Sequence, residues 1–213
     1  MNNQQGENVM IYNEDEAEKA EDEAMVFQGE DEEEETALIG LCGEINEEAL
    51  KEVTYALLSF NKGKVLVTED DDFEDSPDIE LFISSAGGTV TDMFAIYDLM
   101  QLVKKNRDIA TFGYGKVASA AVPLLAGGTP GKRYISQNTR VMLHHCSSNT
   151  GGPHPNIKAG LAELKKVEEM MIQILADNSH LSIGEIYNIF SNNTDEYFSA
   201  DEALEMGLVD GII

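Results

Sequence analysis

The 213-residue chain lacks tryptophan and contains only two cysteines and 14 basic residues. Because Cys42 and Cys146 offer no disulfide framework, we expect a reducing, cytoplasmic setting. No apolar run reaches the length of about 18 residues that a membrane span needs, and no signal-peptide pattern opens the chain. The 14 basic residues face 40 acidic ones, which gives a formal net charge of −26. Such a charge repels phosphates and so excludes nucleic acid and anionic membranes as partners.

The acidic charge is concentrated near the N-terminus, where residues 1–36 contain 14 Asp and Glu against one Lys. Such a segment repels itself and has little to bury. We therefore predict an acidic, disordered tail over residues 1–36 and one domain over residues 37–213. A second acidic stretch, residues 69–75, lacks the ligand order of a calcium loop and is predicted to be a surface insertion.

From residue 37 onward, strand and helix patterns alternate, which is typical of an α/β domain. Strands are predicted at residues 37–41, 79–83, 109–112, 140–144 and 208–213. Helices are predicted after Asn46, after the Gly87-Gly88 turn, at Ser119, over residues 157–177, and after Ser182 and Ser199. The apolar spacing over residues 157–177 is close to the coiled-coil value of about 3.5 residues, which predicts packing against a partner helix.

Three short segments supply the parts of an acyl-transfer site. Gly88 follows a strand and offers a backbone N–H at a close approach that only glycine allows. Ser119 lies among small residues at a predicted helix start, and His144 lies late in a strand. Each feature alone is commonly a turn, a helix cap or a packed histidine. Their order and setting together indicate an oxyanion donor, a nucleophile and a base.

Four longer segments carry a family resemblance: ISSAGGTVTDMFAIYDLMQ (residues 83–101), YGKVASAAVPLLAGGTPGKRY (114–134), NTRVMLHH (138–145) and FSADEALEMGLVDGII (198–213). They resemble, in this order, four segments of the Clp protease proteolytic subunit (ClpP) family. The resemblance covers about residues 37–213. The G-x-S-x-G elbow of the α/β-hydrolases is absent.

The resemblance implies an α/β fold of the ClpP/crotonase type, a spiral of ββα units with a long handle helix. It implies Ser119 as nucleophile, His144 as general base, and the backbone N–H groups of Gly88 and Ala120 as the oxyanion hole. It also implies a homo-oligomer, commonly a double ring, that receives unfolded polypeptide from a separate AAA+ ATPase unfoldase. No Walker motif occurs in this chain, so the ATP would belong to the partner, and we predict no cofactor.

The third triad residue falls in a segment that departs from the family pattern. Asp195, four residues before Ser199, is the acid there, and we assign it to orient His144. Asn192 or Asn193 is the alternative, since an amide can fix the imidazole tautomer but stabilises the imidazolium less. A weakened triad makes a catalytically weak structural ring subunit the alternative function. A crotonase-type acyl-CoA enzyme is a third hypothesis, disfavoured because that family uses Glu or Asp rather than a Ser–His pair.

Two other chemistries are weighed around His144. A zinc site with His145, Cys146 and His154 is disfavoured, because adjacent strand residues face opposite sides and cannot easily share one ion. We therefore predict no metal. Cys146 is a poor candidate nucleophile, because no Lys or Arg stands beside it in sequence to lower its pKa.

Overall fold

The computed structural model describes residues 26–27, 37–62, 77–149, 151–192 and 194–213. The acidic insertion over residues 69–75 and nearly all of residues 1–36 lie outside these ranges, so the division into tail and domain stays a prediction. Among the helices described, none combines the length and apolarity that a membrane crossing requires.

The strands described are β1 (Val26–Phe27), β2 (Ala37–Ile45), β3 (Ile79–Gly88), β4 (Ile109–Ala118), β5 (Arg133–Ile135), β6 (Arg140–Leu143), β7 (Glu196–Phe198) and β8 (Gly211–Ile212). They form one sheet, in which β2, β3, β4, β5 and β8 are parallel neighbours in that order. β1 pairs antiparallel with β2 at one edge. The parallel arrangement is the one expected when helices connect the strands.

The helices described are α1 (Glu47–Phe60), α2 (Val90–Val103), α3 (Ala121–Ala126), α4 (His154–Asp177), α5 (Ile183–Ser191) and α6 (Ala200–Glu205). The predicted caps form. The Asn46 side chain accepts hydrogen bonds from the first turn of α1, and Ser182 and Ser199 make capping boxes on α5 and α6. These caps satisfy N–H groups that have no partner within the helix.

The core lies between the sheet and the helices α1 and α2. Ile79, Leu81 and Ile83 alternate along β3 and are fully buried, and they join one apolar cluster with Met93 and Ile96 of α2. Alternation of this kind puts every second side chain of a strand on the same face. Each such side chain stabilises the fold by about 1.5–3 kcal/mol through burial.

β4 pairs with two different strands. Its first half, residues 111–113, pairs with β5, and its second half, residues 116–118, pairs in parallel with β6. Between the halves, β4 contains two more residues than β3, since Ile83 faces Gly113 while Ser85 faces Val117. A bulge bends a strand and increases its twist. The sheet therefore continues on a second path through β6 and β7, and the predicted α/β class is confirmed.

Several predicted boundaries were wrong. β2, β3 and β4 run past their predicted ends at residues 41, 83 and 112. β2 and β3 are longer because Gly87 and Gly88 pair with β2, and β4 is longer because residues 116–118 pair with β6. β5 and β7 were not predicted, because three residues are too few to show alternation. α4 begins at His154 rather than near residue 157, since a proline is tolerated in the first turn.

An ion pair between Asp210 and Arg133 connects the C-terminal segment to β5 of the sheet. The carboxylate of Asp210 accepts hydrogen bonds from the Arg133 guanidinium at 2.8 and 2.5 Å and from the backbone N–H groups of Gly131 and Arg133 at 2.7 and 3.0 Å. Burial alone would raise the pKa of Asp210, but the hydrogen bonds and charge of Arg133 outweigh it and hold the pKa below its usual value. Folding therefore favours the ionised carboxylate.

Asp210→Asn should lower the free energy of unfolding at pH 7 by about 2 kcal/mol, because it leaves the buried Arg133 without its counter-charge. A group whose pKa is lowered on folding stabilises the protein above its unfolded pKa of about 3.9 and loses that effect as the pH falls through the folded value. The difference should therefore shrink below about pH 3. Urea unfolding at pH 7 and pH 3 measures it, with the exposed Glu205→Gln as the matched control. An equal effect of both substitutions would contradict this account.

Candidate active site

Ser119 lies in the turn between β4 and α3 in a left-handed conformation. Its φ of 53° is unusual for a residue other than glycine. Two hydrogen bonds fix this backbone: Ser119 N–H donates to Met142 O at 2.8 Å, and Val122 N–H donates to Ser119 O at 3.1 Å. Strained backbone of this kind persists only where the surroundings enforce it, and it clusters at functional sites. The turn points the Ser119 hydroxyl toward the end of β6.

His144 reaches Ser119 because β4 and β6 are parallel neighbours. Ala118 is the register partner of Met142, so the residues that follow the two strands come out at the same edge of the sheet. The Nε2 atom of His144 lies 2.7 Å from the Oγ atom of Ser119, within hydrogen-bonding distance. The His144 side chain is 29% exposed. The structure therefore brings together the predicted nucleophile and the predicted base.

Asp195 is placed beside His144 by β7. β6 and β7 are antiparallel and Leu143 pairs with Glu196, so His144 and Asp195 are the next pair beyond the ladder. His144 Nδ1 lies 3.6 Å from Asp195 Oδ1, which is an ion-pair distance but longer than a hydrogen bond. The Asp195 side chain is 49% exposed, and its other oxygen accepts from the Tyr197 hydroxyl at 3.4 Å.

Asn192 and Asn193 are the two amide alternatives to Asp195 as the residue that orients His144. The Asn192 side chain donates to Glu196 Oε1 at 2.7 Å, so its amide has a partner other than His144. Asn193 lies outside the described residues. Among the described candidates for the third position, Asp195 is the residue that contacts the imidazole.

The glycine pair lies against the Ser119 turn. A side chain at Gly87 would stand 2.7 Å from Ser119 Cβ and 3.0 Å from Ala120 N. Thr89 N–H donates to Ile45 O on β2. Because N–H groups alternate in direction along a strand, we expect the preceding N–H, that of Gly88, to face away from β2 toward β4. Since Ser119 N–H is already bonded to Met142, the next free donor along the turn is Ala120 N–H, for which the described residues provide no backbone acceptor.

A groove of about 380 Å³ runs between this glycine turn and α4. Gly88 and Thr89 line one side, Leu164 and Val167 of α4 line the other, and Cys146 lies between them. The volume is within the range of small-molecule and side-chain pockets. Sequence reasoning missed this groove, because the register of α4 over the glycine turn depends on tertiary packing.

The described residues give little support to a metal site around His144 or to Cys146 as a nucleophile. No group of three or more His, Cys, Asp or Glu side chains in those ranges is placed to hold a metal ion, and the rings of His144 and His145 lie 6.2 Å apart. Burial, aided by the negative charge of Glu168, raises the pKa of Cys146 to about 11. The thiol is therefore protonated at neutral pH and is a weak nucleophile.

The fold and the site together define the class of this protein. It is an α/β protein of the ClpP/crotonase type with a Ser–His pair at the edge of its sheet. Residues 32–213 match the family model described as Clp protease. This chain belongs to the Clp protease family.

Curated relatives give the same assignment. Over 136 residues, 64% of this chain, it is 38% identical to ATP-dependent Clp protease proteolytic subunit 2 of Bifidobacterium longum, covering 64% of that protein. It is 40% identical over 136 residues to ATP-dependent Clp protease proteolytic subunit 3 of Frankia casuarinae, covering 62% of it. It is 38% identical to subunit 2 of Corynebacterium efficiens, covering 66% of it. The chain thus spans a little under two thirds of the length of the first two relatives.

The close approach at Gly88 generates a prediction with an internal control. A Cβ atom at Gly88, where φ is +153°, would lie 2.2 Å from Ile45 O, whereas one at Gly131, where φ is +87°, would meet nothing within 4 Å. Both substitutions by alanine strain the backbone, but only Gly88→Ala adds a clash with another strand. Thermal unfolding should show that Gly88→Ala costs about 2 kcal/mol more than Gly131→Ala. Equal destabilisation would show that β2 does not approach Gly88 as described.

Proposed function

We propose that this chain is a serine endopeptidase of the Clp type, with Ser119 as nucleophile, His144 as general base and Asp195 as the residue that orients His144. The observation that carries the proposal is the 2.7 Å contact between Ser119 Oγ and His144 Nε2 at a strained turn beside the Gly87-Gly88 pair. A hydroxyl within hydrogen-bonding distance of an imidazole, with backbone N–H groups nearby to stabilise an oxyanion, is the arrangement that acyl transfer requires.

The geometry supports the following sequence of steps. Ser119 Oγ attacks the peptide carbonyl while its proton passes to His144 Nε2, and the N–H groups of Gly88 and Ala120 stabilise the oxyanion. His144 then gives the proton to the leaving amine, which breaks the C–N bond and leaves an acyl-serine. A water molecule, deprotonated by the same imidazole, hydrolyses the ester and restores Ser119. Throughout, Asp195 faces Nδ1 and stabilises the imidazolium.

The family match supports the substrate and the assembly that we propose. The relatives are named as proteolytic subunits of ATP-dependent Clp proteases, which supports a homo-oligomeric double ring that hydrolyses unfolded polypeptides delivered by a separate AAA+ ATPase in the cytoplasm. The handle helix α4 supports the assembly, because its Leu161 and Met170 side chains are 57% and 52% exposed and available to another subunit. In this proposal residues 37–213 form the protease domain and residues 1–36 an acidic tail.

A catalytically weak structural subunit is the second candidate function. It is favoured by the 3.6 Å separation of His144 Nδ1 and Asp195 Oδ1 and by the exposure of Asp195, which together weaken the orientation of the imidazole. The match to the Clp protease family gives the acyl-CoA alternative no comparable support.

Labelling with a fluorophosphonate separates the two candidates, because the probe reacts with a serine activated by a neighbouring base. The assembled protein should become labelled, Ser119→Ala should not, and Ser59→Ala, at an exposed serine of α1, should behave like the wild type. Intact-protein mass spectrometry measures the adduct. Labelling that persists in Ser119→Ala would refute Ser119 as nucleophile, and no labelling of the wild type would favour the structural subunit.

Asp195→Asn should lower kcat/KM for an unstructured peptide by about 10- to 100-fold, less than the about 10⁴-fold found where the triad acid is buried and hydrogen-bonded. The smaller effect is expected because Asp195 is half-exposed and makes no direct hydrogen bond to His144. Asn192→Ala should leave kcat/KM unchanged within about twofold, since its amide bonds to Glu196. The reverse ranking of the two variants would move the orienting role to Asn192.

A further inference from the structure

The groove between the glycine turn and α4 lies next to the proposed catalytic groups. Gly88, whose N–H is a proposed oxyanion donor, forms part of its wall, and Cys146 follows His144 by two residues. A substrate residue whose carbonyl accepts from Gly88 N–H has its side chain within reach of this groove, because Gly88 forms part of the wall. The lining of the groove decides which side chain fits.

The groove combines an apolar wall with one carboxylate. Val90 of α2 and Leu164 and Val167 of α4 supply the apolar surface, and Glu163 of α4 supplies the carboxylate. Most of the remaining lining is glycine, serine and threonine, which leaves room and adds no charge. A flexible aliphatic stem that ends in a cation matches such a surface, because lysine and arginine pack their methylene groups on apolar atoms while the charged head stays near water.

Glu163 is available for such a contact. Its side chain is exposed, and within the described residues it makes no ion pair, whereas Lys165 on the same helix pairs with Glu169 at 3.6 Å. A second carboxylate lies beside the groove, since Glu168 accepts a hydrogen bond at 3.0 Å from the N–H of Cys146, which lines it. The Cys146 thiol stays neutral, so Glu163 is the one charged residue among the described residues that line the groove.

We infer that this groove makes the enzyme selective for lysine or arginine at the residue that contributes the cleaved carbonyl, with Glu163 as the specificity-determining residue. The stem of the side chain lies on Leu164 and Val167, and its cation faces the Glu163 carboxylate. This inference rests on the proposed peptidase function. The net charge of −26 acts in the same direction, because it attracts cationic segments of a substrate.

The test compares peptides that differ at one position only, with lysine, norleucine or glutamate before the cleaved bond. Norleucine keeps the stem of lysine and removes the charge. For each peptide, kcat/KM is measured with the wild type, Glu163→Gln, Glu163→Lys and the matched control Glu169→Gln. The dissociation constant of each peptide from Ser119→Ala is measured separately by fluorescence anisotropy. Two salt concentrations are used, because a contact between exposed charges weakens with ionic strength.

The wild type should prefer lysine over norleucine by about fivefold, the upper range for an exposed ion pair. Glu163→Gln should abolish this preference, Glu163→Lys should shift it toward glutamate, and Glu169→Gln should retain it. If all peptides are cleaved and the wild type and the Glu163 variants show the same preference, the inference is wrong, while the peptidase function stands. If no peptide is turned over, the peptidase function fails, and the binding preferences of Ser119→Ala decide the inference: equal affinities or no binding would refute it.

Discussion

The site depends on the double pairing of β4. One half of this strand pairs with β5 and the other with β6, and the parallel register of the second half brings the residues after both strands to one edge of the sheet. Ser119 and His144 are therefore neighbours although 25 residues separate them. The bulge between the halves stands where Gly113 and Gly115 occur, and the lack of side chains there eases the bend. Because β5 covers only residues 111–113, the edge of β4 at residues 116–118 is open to β6, and this pairing positions His144.

The proposed catalytic groups differ in how firmly the fold holds them. Ser119 is fixed by two backbone hydrogen bonds in a conformation that few residues adopt. In the glycine pair, Gly88 lies against Ile45 of β2 and Gly87 lies against the Ser119 turn. Asp195 directly precedes the three-residue strand β7, is half-exposed and stands just beyond hydrogen-bonding distance of His144. The proposed nucleophile and oxyanion donors thus lie at or directly beside the central strands, whereas the proposed acid depends on a short antiparallel extension. Efficient turnover would then require β7 to stay paired with β6.

Much of this was predictable from the sequence, and the reasons for the rest are physical. Ser119, Gly88 and His144 could be picked out because each stands at the end of an apolar run or among small residues, which are patterns of local origin. The proximity of Asp195 to His144 was a hypothesis that the sequence could not decide, since β7 is too short to show alternation and its partner is distant in the chain. The place of Glu163 beside the groove could not be predicted from the sequence. An acidic residue on the exposed face of a helix is common, and only the tertiary structure brings α4 over the glycine turn.

A crystal structure of the protein after reaction with a peptidyl phosphonate tests the central claim most directly. We expect a covalent bond from Ser119 Oγ to phosphorus, with the phosphonyl oxygen about 2.7–3.1 Å from the backbone nitrogens of Gly88 and Ala120. His144 Nε2 should remain beside the Ser119 oxygen, with its Nδ1 facing Asp195. An adduct on another residue, or a phosphonyl oxygen that points to solvent, would contradict the account.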